Sequence, residues 1–138
     1  MIKIGLFIAL FLASSILLKA EPVTIRVLNG KNGKPMPNVR VLLQDATTNY
    51  TLGDAAETDS NGRVTFSLGQ STSIRPAVDG VGECANKREA IDPSFSVAKI
   101  RDAGLVESNQ CGKFTIPPRP GELVLFCRPP TWWEKHLY

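Results

Sequence analysis

The chain has 138 residues, 43% of them hydrophobic, with 16 basic and 13 acidic side chains and three cysteines. That length suits one ordinary domain around a single apolar core. A net charge of +3 gives no broad basic footprint, so nucleic acid is not an expected partner.

Lys3 is followed by an apolar run from Ile4 to Leu18. About 15 residues is the length of a secretory hydrophobic region and falls short of the ~20 that a spanning helix needs. Ala20 then offers a small residue for cleavage before Glu21. The expectation is a signal peptide over 1–20, one domain over 21–138, and a secreted or periplasmic protein. No transmembrane segment is expected after cleavage, and the alternative is an uncleaved leader that serves as an anchor. Without Lys3 and Lys19, 14 basic residues face 13 acidic ones, so the mature domain is nearly neutral.

Val23–Val27 alternates apolar and polar residues, the period of a half-buried strand. Asn29–Asn38 is dense in turn formers. Val39–Gln44 resumes the alternation, with Val39, Val41 and Leu43 on one face. A looser stretch over 45–57 leads to a turn at Thr58–Gly62 and a third strand, Arg63–Leu68, with Val64, Phe66 and Leu68 aligned. Ser73–Val78 is predicted as a strand in which Pro76 cannot donate to a ladder, which places it at an edge or bulge.

Asp92 and Pro93 predict an N-cap and first position for a helix with Phe95, Val97, Ile100 and Ala103 as its stripe and Gly104 as its stop. Leu105–Val106 and Lys113–Ile116 are short extended candidates. Pro117–Gly121 reads as a rigid connector, and Glu122–Phe126 as the last strand. Five or more short strands spaced by Gly, Pro and Asn turns predict an all-β fold.

An exported context favours oxidation, so three cysteines predict one disulfide and one thiol. Cys84 and Cys111 are the natural pair, because both lie in Gly-bearing irregular stretches that bracket the helix. Cys127, at the end of an apolar run, reads as a buried and inert thiol. An intermolecular disulfide is the alternative for it.

The stretch Val23–Leu68 resembles the carboxypeptidase regulatory-like, or transthyretin-like, β-sandwich family. The resemblance rests on Gly33, Pro35, Val39 and Val41, in the pattern G-x-P-x-x-x-V-x-V, and on Thr58, Asp59, Gly62 and Phe66, in the pattern T-D-x-x-G-x-x-x-F. The whole mature chain also looks like small secreted bacterial proteins that carry such a domain. The resemblance implies a small antiparallel β-sandwich of the prealbumin or Ig-like kind, here with one short helix in a disulfide-closed insert. It implies a non-catalytic module for folding support, display or partner binding, and brings no active site.

The residues offer little for catalysis or cofactors. Glu57, Asp59 and Asn61 before Gly62 resemble the start of a calcium loop, but Leu68 stands where the closing carboxylate belongs. A β-turn explains the same residues. The single histidine, His136, is the third residue from the C-terminus, a poor place for a catalytic base held by a third group. A Cys127–His136 pair would need an ionised thiol at the end of an apolar strand. Zinc lacks ligands once Cys84 and Cys111 pair. No enzyme, metal or cofactor is expected. Asn49-Tyr50-Thr51 matches the N-glycosylation pattern, and the flexible loop Asp79–Cys84 serves either a ligand or the disulfide.

The tail from Arg128 to Tyr138 is the most distinctive segment. Pro129 and Pro130 end the last strand, and two tryptophans follow. Adjacent tryptophans serve as interface hot spots or membrane-boundary anchors, or they cover an end of the domain. In an extended tail one indole would pack while its neighbour stays exposed. Trp132, Trp133 and Tyr138, with Arg128 at the same end, are the expected contacts to a protein or glycan of the cell envelope. A carbohydrate-binding module and a structural envelope component are the alternatives.

Overall fold

The computed structural model describes residues 21–85 and 93–136. In chain order the elements are β1 (Val23–Asn29), β2 (Arg40–Asp45), β3 (Ala56–Glu57), β4 (Arg63–Phe66), β5 (Ser73–Asp79), β6 (Gly82–Glu83), β7 (Phe95–Ser96), α1 (Val97–Asp102), β8 (Leu105–Val106), β9 (Glu122–Arg128) and α2 (Trp132–His136). One sheet runs β4-β1-β9-β6, with β8 also pairing β9, and the other runs β3-β2-β5-β7.

Alternation along the strands builds the shared core. Val23, Ile25 and Val27 of β1 and Leu123, Leu125 and Cys127 of β9 face Val41 and Leu43 of β2 and Ile74 of β5. Val97 and Ile100 add the apolar face of α1. Each such side chain stabilises the fold by roughly 1.5–3 kcal/mol on burial, so this layer outweighs any single polar contact. Thr58 ties the two turn-strand motifs together. Its hydroxyl donates to the Met36 carbonyl at 2.6 Å and accepts the Val39 N–H at 3.0 Å.

The first sheet also carries apolar residues on its outer face. Leu28, Val124, Phe126 and Cys84 form a second cluster there, with Val106, Cys111, Phe114 and Ile116 packed against it. Phe114 meets Phe126 edge to face at 6.2 Å. Asn109 fixes this cover by donating to the carbonyls of Gly30 and Phe114 and accepting the Cys111 N–H. The disulfide joins Cys84 and Cys111, and α1 lies inside the loop it closes.

The structure corrects the antiparallel expectation. β9 runs parallel to β1, from Thr24↔Glu122 to Asn29↔Cys127, and β8 runs parallel to β9. Alternation marks a strand with one wet face, whereas the unbroken run Leu123–Cys127 marks one covered on both, as parallel strands are. The described residues hold two helices rather than one. The cap of α1 is Ser96, whose Oγ accepts the Lys99 N–H, because Phe95 and Ser96 are taken up by pairing with Ile74 and Ser73. Pro93 therefore lies outside the helix, and Asp92 lies outside the described residues.

Gly104 ends the helix as expected, with its N–H on the Lys99 and Ile100 carbonyls. Lys113–Ile116 forms no strand, because Phe114 and Ile116 pack down on the outer face of the sheet. The strand at Arg63 stops at Phe66, although Leu68 is still buried. Pro76 sits in β5 opposite Leu43, beyond the two residues that β7 pairs, so its missing N–H breaks no pairing among the described residues.

Replacing Cys84 and Cys111 together by Ala should lower unfolding free energy by about 3.5 kcal/mol, given a sequence separation of 27 and the chain-entropy relation. Dye binding to the freed Leu28–Phe126 face should rise in urea before the main transition. A loss below about 1 kcal/mol would mean that Asn109 and Phe114 hold the cover without the disulfide.

Candidate functional site

β9 ends at Arg128, and Pro129-Pro130 releases the chain from the ladder. Thr131 then caps α2. Its Oγ1 accepts the Glu134 N–H at 3.3 Å, while Glu134 Oε1 accepts the Thr131 N–H at 3.4 Å and the Thr131 hydroxyl at 3.0 Å. This reciprocal pattern is a capping box. The same Glu134 oxygen accepts Arg128 Nη1 at 2.7 Å, so one carboxylate both caps the helix and fastens it to the end of β9. Hydrogen bonds from Arg128 and then Thr131 hold the Glu134 carboxyl below its usual range.

Arg128 is itself placed by β6. Gly82 pairs with Arg128 across the ladder, and a Cβ on Gly82 would run into the Arg128 guanidinium. The missing side chain leaves the channel along which Arg128 lies.

The clamp sets which side of α2 faces out. At 100° per residue, Trp132 and His136 stand about 160° round the helix from Glu134, flanked by Trp133 and Lys135. Trp132 is 61% and Trp133 68% exposed. Their rings meet perpendicularly with centroids 4.8 Å apart, and the His136 ring stacks on Trp132 at 4.4 Å. His136 Nδ1 is 2.7 Å from the Trp132 carbonyl oxygen. The extended tail with one packed indole is thus corrected, because a helix carries both indoles outward. Arg128, Trp132 and Trp133 come together here, and Tyr138 lies outside the described residues. Glu134, Thr131 and Gly82 were not singled out from the sequence, though Thr131-x-x-Glu134 after two prolines is a capping-box signal.

A second group of titratable residues lies along the same edge of β9, the one that β6 and β8 share. Glu83 pairs with Cys127, and Glu107 continues β8 with its N–H on the Val124 carbonyl. Leu105 packs on the shared core and Val106 on the outer cluster, so alternation returns Glu107 to the inner side. Burial, and then the charge of Glu83, push the Glu107 carboxyl up to about 7. Burial, and then Glu83 and Glu107, push the Cys127 thiol up to about 12. A thiol in that range is protonated at neutral pH and is no nucleophile. Cys84 lies in the outer cluster and Cys127 in the shared core, so the sheet separates the thiol from the disulfide.

The remaining motifs resolve into turns. Asp59 Oδ1 accepts the N–H groups of Asn61 and Arg63 at 2.8 and 3.0 Å, and Gly62 takes φ +74°, as a turn demands. Asn49 sits in an exposed turn with its Oδ1 on Arg75 Nη1 at 2.9 Å. A shallow groove of about 520 Å³ runs between Val106 and Phe114 above Phe126. Among the described residues no three His, Cys, Asp or Glu side chains gather to hold a metal. No helix among them is long and apolar enough to cross a membrane.

No protein-family model matches the chain, and no curated protein is detectably similar to it.

Two outcomes test this geometry. Both tryptophans of the protein lie in α2, so tryptophan anisotropy reads the clamp directly. Arg128→Ala and Gly82→Ala should each lower anisotropy, and unchanged anisotropy would show that the capping box alone fixes the helix. Glu107 binds its proton more tightly folded than unfolded, so its folded pKa near 7 against 4.5 makes stability fall as pH rises across that window. The loss is on the order of 3 kcal/mol, complete above pH 7. Glu107→Gln should therefore raise the urea midpoint at pH 8 and leave it unchanged at pH 4.5. An equal shift at both pH values would assign the effect to packing.

Proposed function

We propose that the chain is an exported, non-catalytic binding module that presents α2 to a macromolecule of the cell envelope or the exterior. The observation that carries the reading is a pair of neighbouring indoles, about two-thirds exposed, on a helix fastened to the domain by Arg128 and Glu134. Exposing large apolar rings is unfavourable, and fastening them in that state has no folding benefit; Trp and Arg at one fixed surface are the composition of binding hot spots. The clamp and capping box hold α2 in place before any partner arrives, which lowers the ordering entropy of binding.

Several features support the rest of the reading. The apolar run over 4–18 and the Cys84–Cys111 disulfide suit export to an oxidising compartment. The two turn-strand motifs meet through Thr58, which supports a sandwich of the carboxypeptidase regulatory-like family. The protonated Cys127 thiol offers no nucleophile, in keeping with a non-catalytic role. The same thiol, 1% exposed, would need the core opened to bridge two copies, which weighs against covalent self-assembly as a structural component.

The mature domain should co-sediment with envelope material from its own cells, and the Trp132→Ala/Trp133→Ala variant should stay in solution. Equal sedimentation of both proteins would move the binding surface off α2. Sedimentation of neither would remove the envelope as its target.

A further inference from the structure

The size and charge of the α2 surface narrow the partner, given the binding reading above. Two indoles, each two-thirds exposed, offer about 300 Å² between them, since a whole aromatic side chain buries up to ~250 Å². A stable protein interface takes about 800 Å² from each side, more than a five-residue helix standing at the end of a strand provides. A sugar ring needs far less, because one flat indole face covers one ring.

The charges point the same way. Glu134, the acid of α2, is neutralised by Arg128 and turned toward the domain. Lys135 is exposed and has no ion-pair partner among the described residues, whereas His136 Nδ1 is taken up by the Trp132 carbonyl, which leaves Lys135 the cation of this surface. Trp132 already has one ring face against His136, which leaves Trp133 the freer indole. Trp133 and Lys135 flank the outward face on either side, separated by about the 10 Å width of a helix. A chain of two or three sugar rings spans that width.

We propose that this surface is a subsite for an acidic polysaccharide, with Trp133 stacked on one sugar ring and Lys135 paired with the carboxylate of a uronic acid further along. Neutral glycans can use the indole but leave Lys135 unpaired. Anionic lipid would satisfy Lys135 but has no ring to stack on Trp133.

The test is a fluorescence titration of the mature protein, in which every tryptophan signal comes from the subsite. Oligogalacturonate, oligoalginate and hyaluronan oligosaccharides are the acidic probes, and galactan oligosaccharides of matched length are the neutral one. At least one acidic probe should change the emission and bind tenfold or more tightly than galactan. Added salt or Lys135→Gln should remove most of that preference, and Trp133→Ala should abolish binding while retaining the wild-type urea midpoint. Equal response to galactan, or silence with all three acidic probes, would overturn the proposal. An emission shift with phosphatidylglycerol vesicles and none with the sugars would reassign the surface to lipid. Silence with the sugars alongside Trp-dependent sedimentation that protease treatment of the envelope abolishes would leave the binding reading standing and sink only the glycan. Failure in both assays would sink both.

Discussion

The parallel pairing of β1 with β9 is the constraint on which the remainder of this structure depends. It sets the last strand in the middle of its sheet, with β1 on one side and β6 and β8 sharing the other. A strand in that position has no solvent side. Leu123, Leu125 and Cys127 fill the core between the sheets, so Val124 and Phe126 must be covered on the other face by something else. The cover is the segment from Val106 to Ile116, which has little regular structure of its own and is held by Asn109 and the disulfide. The disulfide is thus an answer to a packing demand made by β9, because a loop with few backbone ladders would otherwise leave Phe126 open to water.

This explains which parts of the fold were legible in the residues. Alternation at Val23–Val27 and Val39–Leu43 is a local property, and the strands lie where it occurs. The run Leu123–Cys127 is equally plain as a strand, but its direction is set by a partner almost a hundred residues away, which no local pattern encodes. β3, β6, β7 and β8 have two residues each, too few to show a period. At the start of α1 two caps competed. Asp92-Pro93 had the stronger local signal, and Ser96 prevailed because Phe95 gains more from pairing with Ile74 in the second sheet.

The candidate site divides in the same way. Trp132, Trp133 and Arg128 stood out by type, and their meeting at one surface follows from a capping box that was legible and a clamp that was not. Arg128 reaches Glu134 only because β6 contributes a residue without a side chain at position 82, and β6 arrives from another part of the chain. The Glu107 carboxyl was invisible for the same reason. Its environment is made by Glu83 and Cys127 from two other strands, and nothing in the run Leu105–Ser108 marks it. Its raised pKa has the features of a buried acid beside a like charge, a by-product of the crowded inner edge of β9.

The register of β1 and β9 also sets where the aromatic helix stands. Parallel strands begin at the same end, so Val23 and Glu122 lie together and Arg128 lies at the far end, about 20 Å away at the rise of a strand. Arg101 reinforces the near end by donating to the Glu21 carbonyl. The aromatic helix therefore stands at the opposite pole of the sheet from Glu21 and the start of β1. That separation of the two ends follows from strand direction alone.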